Sequence, residues 1–158
     1  MLARMAPPQP IALGSPTTTT HFPLTQQASA AIVQAAEGKS ARLFLNVVGI
    51  NYRQNPGAGY EIYLNPPADG VPDRASAHYI GVLHFYGLKE AAEASGKPAE
   101  LSFEITEQVR QLQQTHHWPA QELTITFVRR GAQDASGQQS AQSPESIPTI
   151  SALEVAAE

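Results

Sequence analysis

Five histidines are the residues of this 158-residue chain best suited to hold a metal ion. His116 and His117 are adjacent, just before Trp118, and His84 lies in a β-prone run. Side chains that share an ion usually come from positions i and i+2 of a strand or i and i+4 of a helix, because adjacent side chains on a regular element point apart. The sequence therefore predicts no metal site. His84, His116 and His117 are the low-ranking candidates, and solvent-exposed positions are favoured for them.

Other catalytic patterns fail in the same way. The chain contains no cysteine, which excludes disulfides, thiolate catalysis and Cys-ligated zinc or iron–sulfur clusters. There is no Gly-x-Ser-x-Gly elbow and no Walker lysine loop, and Gly57-Ala58-Gly59 lacks the third glycine of a dinucleotide fingerprint. Glu61 and Glu104 lie on predicted strands, where outward-facing charges are commoner than acid–base pairs. The sequence predicts no catalytic residue and no cofactor in this chain, and hence no enzyme activity of its own.

Charge and hydropathy exclude two further classes of partner. Lysine and arginine total 10 against 14 aspartate and glutamate, and the net charge of −4 disfavours nucleic-acid binding. No segment approaches the roughly 20 apolar residues of a membrane span, and the first residues lack the apolar run of a secretory signal. We therefore expect no membrane segment and a cytoplasmic location.

The elements that must position the candidate residues are mainly strands. Five β-prone runs are separated by turn residues, at 43–50, 60–64, 79–86, 100–105 and 123–128. In the second run Tyr60, Ile62 and Leu64 share one face, so that face is predicted to be buried and the other wet. The predicted fold class is mainly β, an antiparallel β-sandwich or barrel with one or two short helices.

Two helices interrupt this pattern. Thr25 is placed to cap a helix over 26–37, and Gly38 is placed to end it at the C′ position. Thr106 is predicted to cap a second helix over 107–114. The helix over 26–37 has a thin apolar face and is expected to pack as a weak strap.

The chain is expected to form one domain with flexible additions. Residues 1–10 are Pro-rich and predicted to be a mobile tail, 11–39 supply a first strand and the helical strap, and 40–131 form the β core. Residues 132–146 are almost free of apolar residues and predicted to be a flexible loop, after which 147–158 return as a closing strand.

Taken in chain order, the strand motifs resemble one known family. They are Leu43-Phe44-Leu45-Asn46-Val47-Val48-Gly49-Ile50, Tyr60-Glu61-Ile62-Tyr63-Leu64-Asn65, Tyr79-Ile80-Gly81-Val82-Leu83-His84-Phe85-Tyr86-Gly87, Phe103-Glu104-Ile105-Thr106 and Leu123-Thr124-Ile125-Thr126-Phe127-Val128-Arg129-Arg130-Gly131. Together they are similar to the C-terminal, hemocyanin-like β domain of tyrosinase and polyphenol oxidase family proteins, over nearly the whole chain.

This resemblance implies a non-catalytic accessory or shielding domain. In that family a separate helical domain holds two coppers with three histidines each, and the β domain covers the entrance to the copper site. Five histidines cannot supply six ligands, so the dinuclear copper is expected in a partner catalytic domain, in cis or in trans. A side chain of the covering domain can plug the entrance as a substrate placeholder, and Phe85, Tyr86 and Trp118 are the candidates here.

Two alternatives remain open at this stage. The chain could be a copper-delivery helper that uses His84, His116 or His117 as transient ligands, although the lack of cysteine and the restriction of methionine to Met1 and Met5 speak against it, since Cu(I) prefers sulfur ligands. It could also be a generic β-sandwich module for protein or sugar binding, with loops 51–59, 65–78 and 132–146 as its contact surface.

Overall fold

The structure is a computed structural model. It describes residues 1–38, 40–54, 56, 59–66, 75–115, 118, 121–130 and 147–158. The flexible loop predicted at 132–146 lies outside these residues.

Strands dominate the described part of the chain. The strands are β1 (Ala3–Met5), β2 (Ile11–Ala12), β3 (Thr17–Pro23), β4 (Leu43–Val48), β5 (Gly59–Leu64), β6 (Tyr79–Leu83), β7 (Glu100–Glu104), β8 (Glu122–Arg130), β9 (Thr149–Ile150) and β10 (Ala152–Ala157). The helices are α1 (Gln26–Glu37), α2 (Leu88–Ser95) and α3 (Thr106–Gln114).

The strands form two four-stranded sheets and a short ribbon. Sheet A has the order β1-β10-β4-β7, sheet B has the order β3-β8-β5-β6, and β2 pairs with β9. Every strand pair is antiparallel. The described strands do not close into a barrel. The prediction of a mainly antiparallel β-sandwich with short helices is confirmed.

The two sheets share one core, as the alternating apolar residues require. Sheet A contributes Leu43, Leu45, Val47, Leu153 and Val155, and sheet B contributes Phe22, Tyr60, Ile62, Leu64, Leu123, Ile125 and Phe127, all with 0% exposure. Helix residues Ile32, Val109 and Leu112 join the same cluster. The buried strand faces therefore fix how the sheets pack.

Strand β5 departs from the predicted pattern because both of its faces are buried. Tyr63 is 1% exposed and Glu61 is 8% exposed. The Glu61 carboxylate accepts a hydrogen bond from the Tyr63 hydroxyl at 2.7 Å and lies 3.4 Å from Nε of Arg130. Glu61 lies on the face opposite the shared core, but the expectation that this face is wet was wrong, since these partners replace water. Glu104, by contrast, is exposed.

The first helix agrees with its sequence signals. The Thr25 hydroxyl accepts from the backbone N–H of Ala28 at 3.0 Å, and the helix ends at Gly38. Gly38 has φ −72° and ψ 157°, so the stop does not use a left-handed glycine. None of the helices in the described residues is long and apolar enough to cross a membrane.

The second predicted helix begins differently. Thr106 is the first residue of α3 rather than its cap, and its hydroxyl makes no capping bond. It accepts instead from the backbone N–H of Leu43 at 2.8 Å, which ties the start of β4 to α3. A tertiary partner has replaced the local one.

Two further segments differ from expectation. The strand predicted over 79–86 ends at Leu83, and the unpredicted helix α2 follows between Gly87 and Gly96, which have φ of 76° and 68°. Within the tail predicted to be mobile, β1 pairs with β10, because β10 offers an unpaired edge there.

Candidate partner-binding site

The early end of β6 leaves one tyrosine almost wholly in solvent. Tyr86 is 94% exposed, and among the described large hydrophobic residues only Met1, at 72%, is also exposed. Tyr86 lies in the turn that links β6 to α2, immediately before Gly87 with its positive φ of 76°. A large amphipathic side chain held away from the core is typical of a partner-binding residue.

The turn that carries Tyr86 is fixed from beneath by aromatic packing. Phe85 is 4% exposed. The centroid of its ring lies 5.5 Å from that of Tyr52, with an angle of 74° between the ring planes. The corresponding values for Tyr60 are 5.9 Å and 90°, so both contacts are edge-to-face. Neighbouring residues in the turn therefore point in opposite directions, with Phe85 in the core and Tyr86 in solvent.

Hydrogen bonds to the turn backbone complete the support. The carbonyl of Phe85 accepts from the Tyr52 hydroxyl at 2.9 Å and from the backbone N–H of Leu88 at 3.3 Å. The Tyr60 hydroxyl donates elsewhere, to the carbonyl of Leu13 at 2.9 Å. Tyr52 is thus the residue whose ring and hydroxyl both contact the turn.

A depression of about 550 Å³ opens beside Tyr86. It is lined by Tyr52, Arg53, Phe85, Tyr86, Gly87, Lys89 and Glu90. Its wall is aromatic and its rim carries two cations and one carboxylate. Such a surface can contact an apolar ridge with polar groups around it.

The structure separates the three placeholder candidates. Phe85 is part of the core, and Trp118 is only partly exposed while its indole N–H donates to the Ser29 hydroxyl at 3.2 Å. Tyr86 alone of the three projects into solvent. Sequence reasoning did not identify Tyr52, and an aromatic residue just after the Gly49-Ile50 end of a strand was the available signal.

The three histidines that the structure describes have separate surroundings. His21 Nδ1 lies 2.7 Å from Glu122 Oε1, and His78 Nδ1 lies 2.9 Å from the carbonyl oxygen of Leu64. His84 is exposed just beyond β6, and His116 and His117 lie outside the described residues. Within the described ranges no group of three or more metal-ligating side chains occurs. The described residues do not fit a dinuclear copper centre.

Solved structures with a similar fold include polyphenol oxidases and a tyrosinase. A recombinantly expressed latent aurone synthase matches with a TM-score of 0.55 and 13% identity, over 94% of this chain and 25% of that one. Latent aurone synthase from its natural source matches with a TM-score of 0.53 and 14% identity, over 94% of this chain and 25% of that one. Latent apple tyrosinase matches with a TM-score of 0.57 and 15% identity, over 94% of this chain and 27% of that one.

These likenesses establish a shared fold, and the chain spans about a quarter of the length of the enzymes it matches. No curated protein matches the sequence. The family model for DUF7868, described as a domain of unknown function, matches residues 5–140, so the chain belongs to the DUF7868 family.

Proposed function

We propose that this chain is a non-catalytic accessory domain that covers the active-site entrance of a tyrosinase-like copper oxidase, with Tyr86 as the side chain inserted into that entrance. The exposure of Tyr86 on a turn fixed by Phe85 and Tyr52 carries the proposal. The partner's copper pair would supply the oxygen chemistry. This chain would inhibit the partner sterically, by keeping substrate out of the active-site entrance.

The fold of the neighbours supports the same role. They are described as latent enzymes, and this chain matches about a quarter of each. A domain that blocks an active site accounts for latency in an otherwise complete enzyme. We propose that the present chain corresponds to such a C-terminal covering domain and works in cis with a copper domain.

The energetics favour Tyr86 as an anchor. Fully burying a large apolar side chain is worth about 1.5–3 kcal/mol. Tyrosine has few rotatable bonds, and the backbone beneath Tyr86 is already held by two hydrogen bonds, so little conformational entropy remains to be lost on docking. Pre-organised aromatic residues of this kind dominate many protein interfaces.

The test is an inhibition assay with the full chain. The copper domain encoded in the same polypeptide, or in the adjacent reading frame, is expressed, loaded with copper and assayed for oxidation of 4-tert-butylcatechol while this chain is titrated in. We expect inhibition, competitive with the catechol. Replacing Tyr86 with alanine should weaken it by about 10- to 30-fold, as for an interface anchor.

Glu93→Ala is the matched control because Glu93 is an exposed residue of α2 that does not line the depression. Equal melting temperatures for both variants would show that the fold is intact. The proposal is overturned if the chain does not inhibit, if Tyr86→Ala inhibits as strongly as the unchanged chain, or if no copper domain is encoded with it.

A further inference from the structure

We infer that Tyr52 is a positioning residue whose hydroxyl holds the Tyr86 turn in the orientation needed for insertion. The inference deepens the proposed function and rests on it for its effect on a partner. Its structural part, the control of the turn by Tyr52, concerns this chain alone.

The contact between Tyr52 and the turn has two components. The Tyr52 ring packs edge-to-face on Phe85 at 5.5 Å, and the Tyr52 hydroxyl donates to the Phe85 carbonyl at 2.9 Å. The carbonyl belongs to the peptide that joins Phe85 to Tyr86, so its orientation sets the direction in which the Tyr86 backbone leaves the core. Holding this peptide therefore aims the tyrosine.

Tyr52 is itself connected to a fixed backbone. The preceding residue, Asn51, exchanges two hydrogen bonds with Thr149 of β9, at 2.9 and 2.8 Å. Strand β9 in turn pairs with β2 through Ile150 and Ile11. The ribbon thus forms a continuous support that ends at the Tyr52 hydroxyl and the Tyr86 turn.

The helix that follows the turn adds little side-chain packing to it. Helix α2 buries only Leu88, and its N-cap residue is Gly87, which has no side chain to cap the helix. A Cβ built on Gly87 would meet no atom within 4 Å. Because the Tyr52 hydroxyl makes the shorter of the two hydrogen bonds to the Phe85 carbonyl, its loss should be felt directly at Tyr86.

Tyr60 provides a matched control. Its ring also packs edge-to-face on Phe85, at 5.9 Å, but its hydroxyl donates to Leu13 rather than to the turn. Tyr60→Phe and Tyr52→Phe therefore remove the same atom from two rings that contact the same phenylalanine. Only the second removes a bond to the turn.

The first measurement is amide hydrogen exchange in the free chain. The backbone N–H of Leu88 bonds to the same Phe85 carbonyl and reports on the turn. We expect Tyr52→Phe to speed exchange at Leu88 by about fivefold, the effect of one neutral hydrogen bond. Tyr60→Phe should leave the rate at Leu88 unchanged relative to amides of the core strands.

The second measurement is a double-mutant cycle in the inhibition assay. When Tyr86 is present, Tyr52→Phe should weaken inhibition by about three- to fivefold. When Tyr86 has been replaced by alanine, Tyr52→Phe should have no further effect on inhibition. A purely structural role would instead weaken both backgrounds equally.

The outcomes are separable. Unchanged exchange at Leu88 in Tyr52→Phe, or an equal acceleration in Tyr60→Phe, would overturn the positioning role whatever the partner does. If Tyr86→Ala fails to weaken inhibition, the proposed function fails instead, and hydrogen exchange still decides what Tyr52 does to the turn.

Discussion

Tyr63 and Glu61 lie on the same face of β5, and this face points away from the shared core residues Tyr60, Ile62 and Leu64. Glu61 is 8% exposed. A buried carboxylate is tolerated only when hydrogen bonds and opposite charge replace its hydration. The Tyr63 hydroxyl and the Arg130 guanidinium supply this replacement.

Removing the hydroxyl of Tyr63 should show how much the burial of Glu61 depends on this hydrogen bond. Tyr63→Phe is expected to lower the free energy of unfolding by about 1–2 kcal/mol, because Glu61 loses a donor that water cannot easily replace. Urea denaturation followed by circular dichroism measures it. Tyr79→Phe is the control, since its ring lies 5.5 Å from that of Tyr63 but is only partly buried. An equal loss in both variants would argue against the carboxylate bond as the cause.

Between elements, the side chain of Arg110 links α3 to the end of α1, beside the apolar contacts of the shared core. Nε and Nη2 of Arg110 donate to the carbonyl of Ala36, at 3.1 and 2.8 Å, and Nη1 donates to Glu107 at 2.6 Å. A carbonyl in the last turn of α1 lacks an intrahelical partner. Arg110 of α3 therefore caps the C-terminal end of α1.

Arg110→Met keeps the stem of the side chain and removes these bonds. We expect the free energy of unfolding to fall by about 1–2 kcal/mol, because the Ala36 carbonyl is left without a protein donor. The control is Arg42→Met, whose partner Glu104 lies 3.8 Å away on the surface, and which should cost less than about 0.5 kcal/mol. Thermal and urea unfolding compare the two, and equal costs would contradict the capping role.

The two sheets are in contact where β6 passes β7. A Cβ on Gly81 would lie 2.8 Å from Cδ1 of Phe103. Real Cβ atoms essentially never come so close, and a ring in a strand has little room to retreat. Glycine at 81 is therefore favoured both by packing between elements and by its backbone φ of 157°, which other residues rarely adopt.

Gly81→Ala should cost about 1–3 kcal/mol of stability, through overpacking and through the positive φ at this position. Combining it with Phe103→Leu should recover part of that loss, because the smaller side chain frees the space that the new methyl needs. Chemical denaturation of the two single variants and the double variant measures the coupling. Strictly additive losses would show that the contact is not the cause.

For the molecule as a whole, the last strand in sequence occupies the interior of a sheet. Strand β10 pairs with β1 on one side and β4 on the other, and its Leu153 and Val155 are fully buried. The fold is therefore closed by contacts that span almost the entire chain. Strand β1 pairs with β10 over only three residues, Ala3–Met5.

Truncations at the two ends should consequently differ. Deleting residues 152–158 is expected to abolish cooperative unfolding, because β4 loses one of its two partner strands and the core loses two large side chains. Deleting residues 1–5 should leave a folded chain with a lower melting temperature. Circular dichroism and one-dimensional proton NMR distinguish the cases, and a folded chain without β10 would refute the account.

The fold class could be predicted because its determinants are local. The alternating apolar residues of β4 and β5, the turn residues between runs and the Thr25 cap all act through nearest neighbours. They predicted the bounds of β4, β5 and α1 to within two residues. The absence of a known catalytic motif could likewise be seen in the sequence alone.

Only tertiary structure decided which aromatic residue is available to a partner. Phe85, Tyr86 and Trp118 look alike in the sequence, yet Tyr52 and Tyr60 enclose Phe85 and α1 holds Trp118, which leaves Tyr86 exposed. The burial of Glu61 and the use of Thr106 by β4 were decided in the same way. These outcomes depend on contacts between residues that are distant in the chain. A local sequence pattern does not indicate which distant residue will make such a contact.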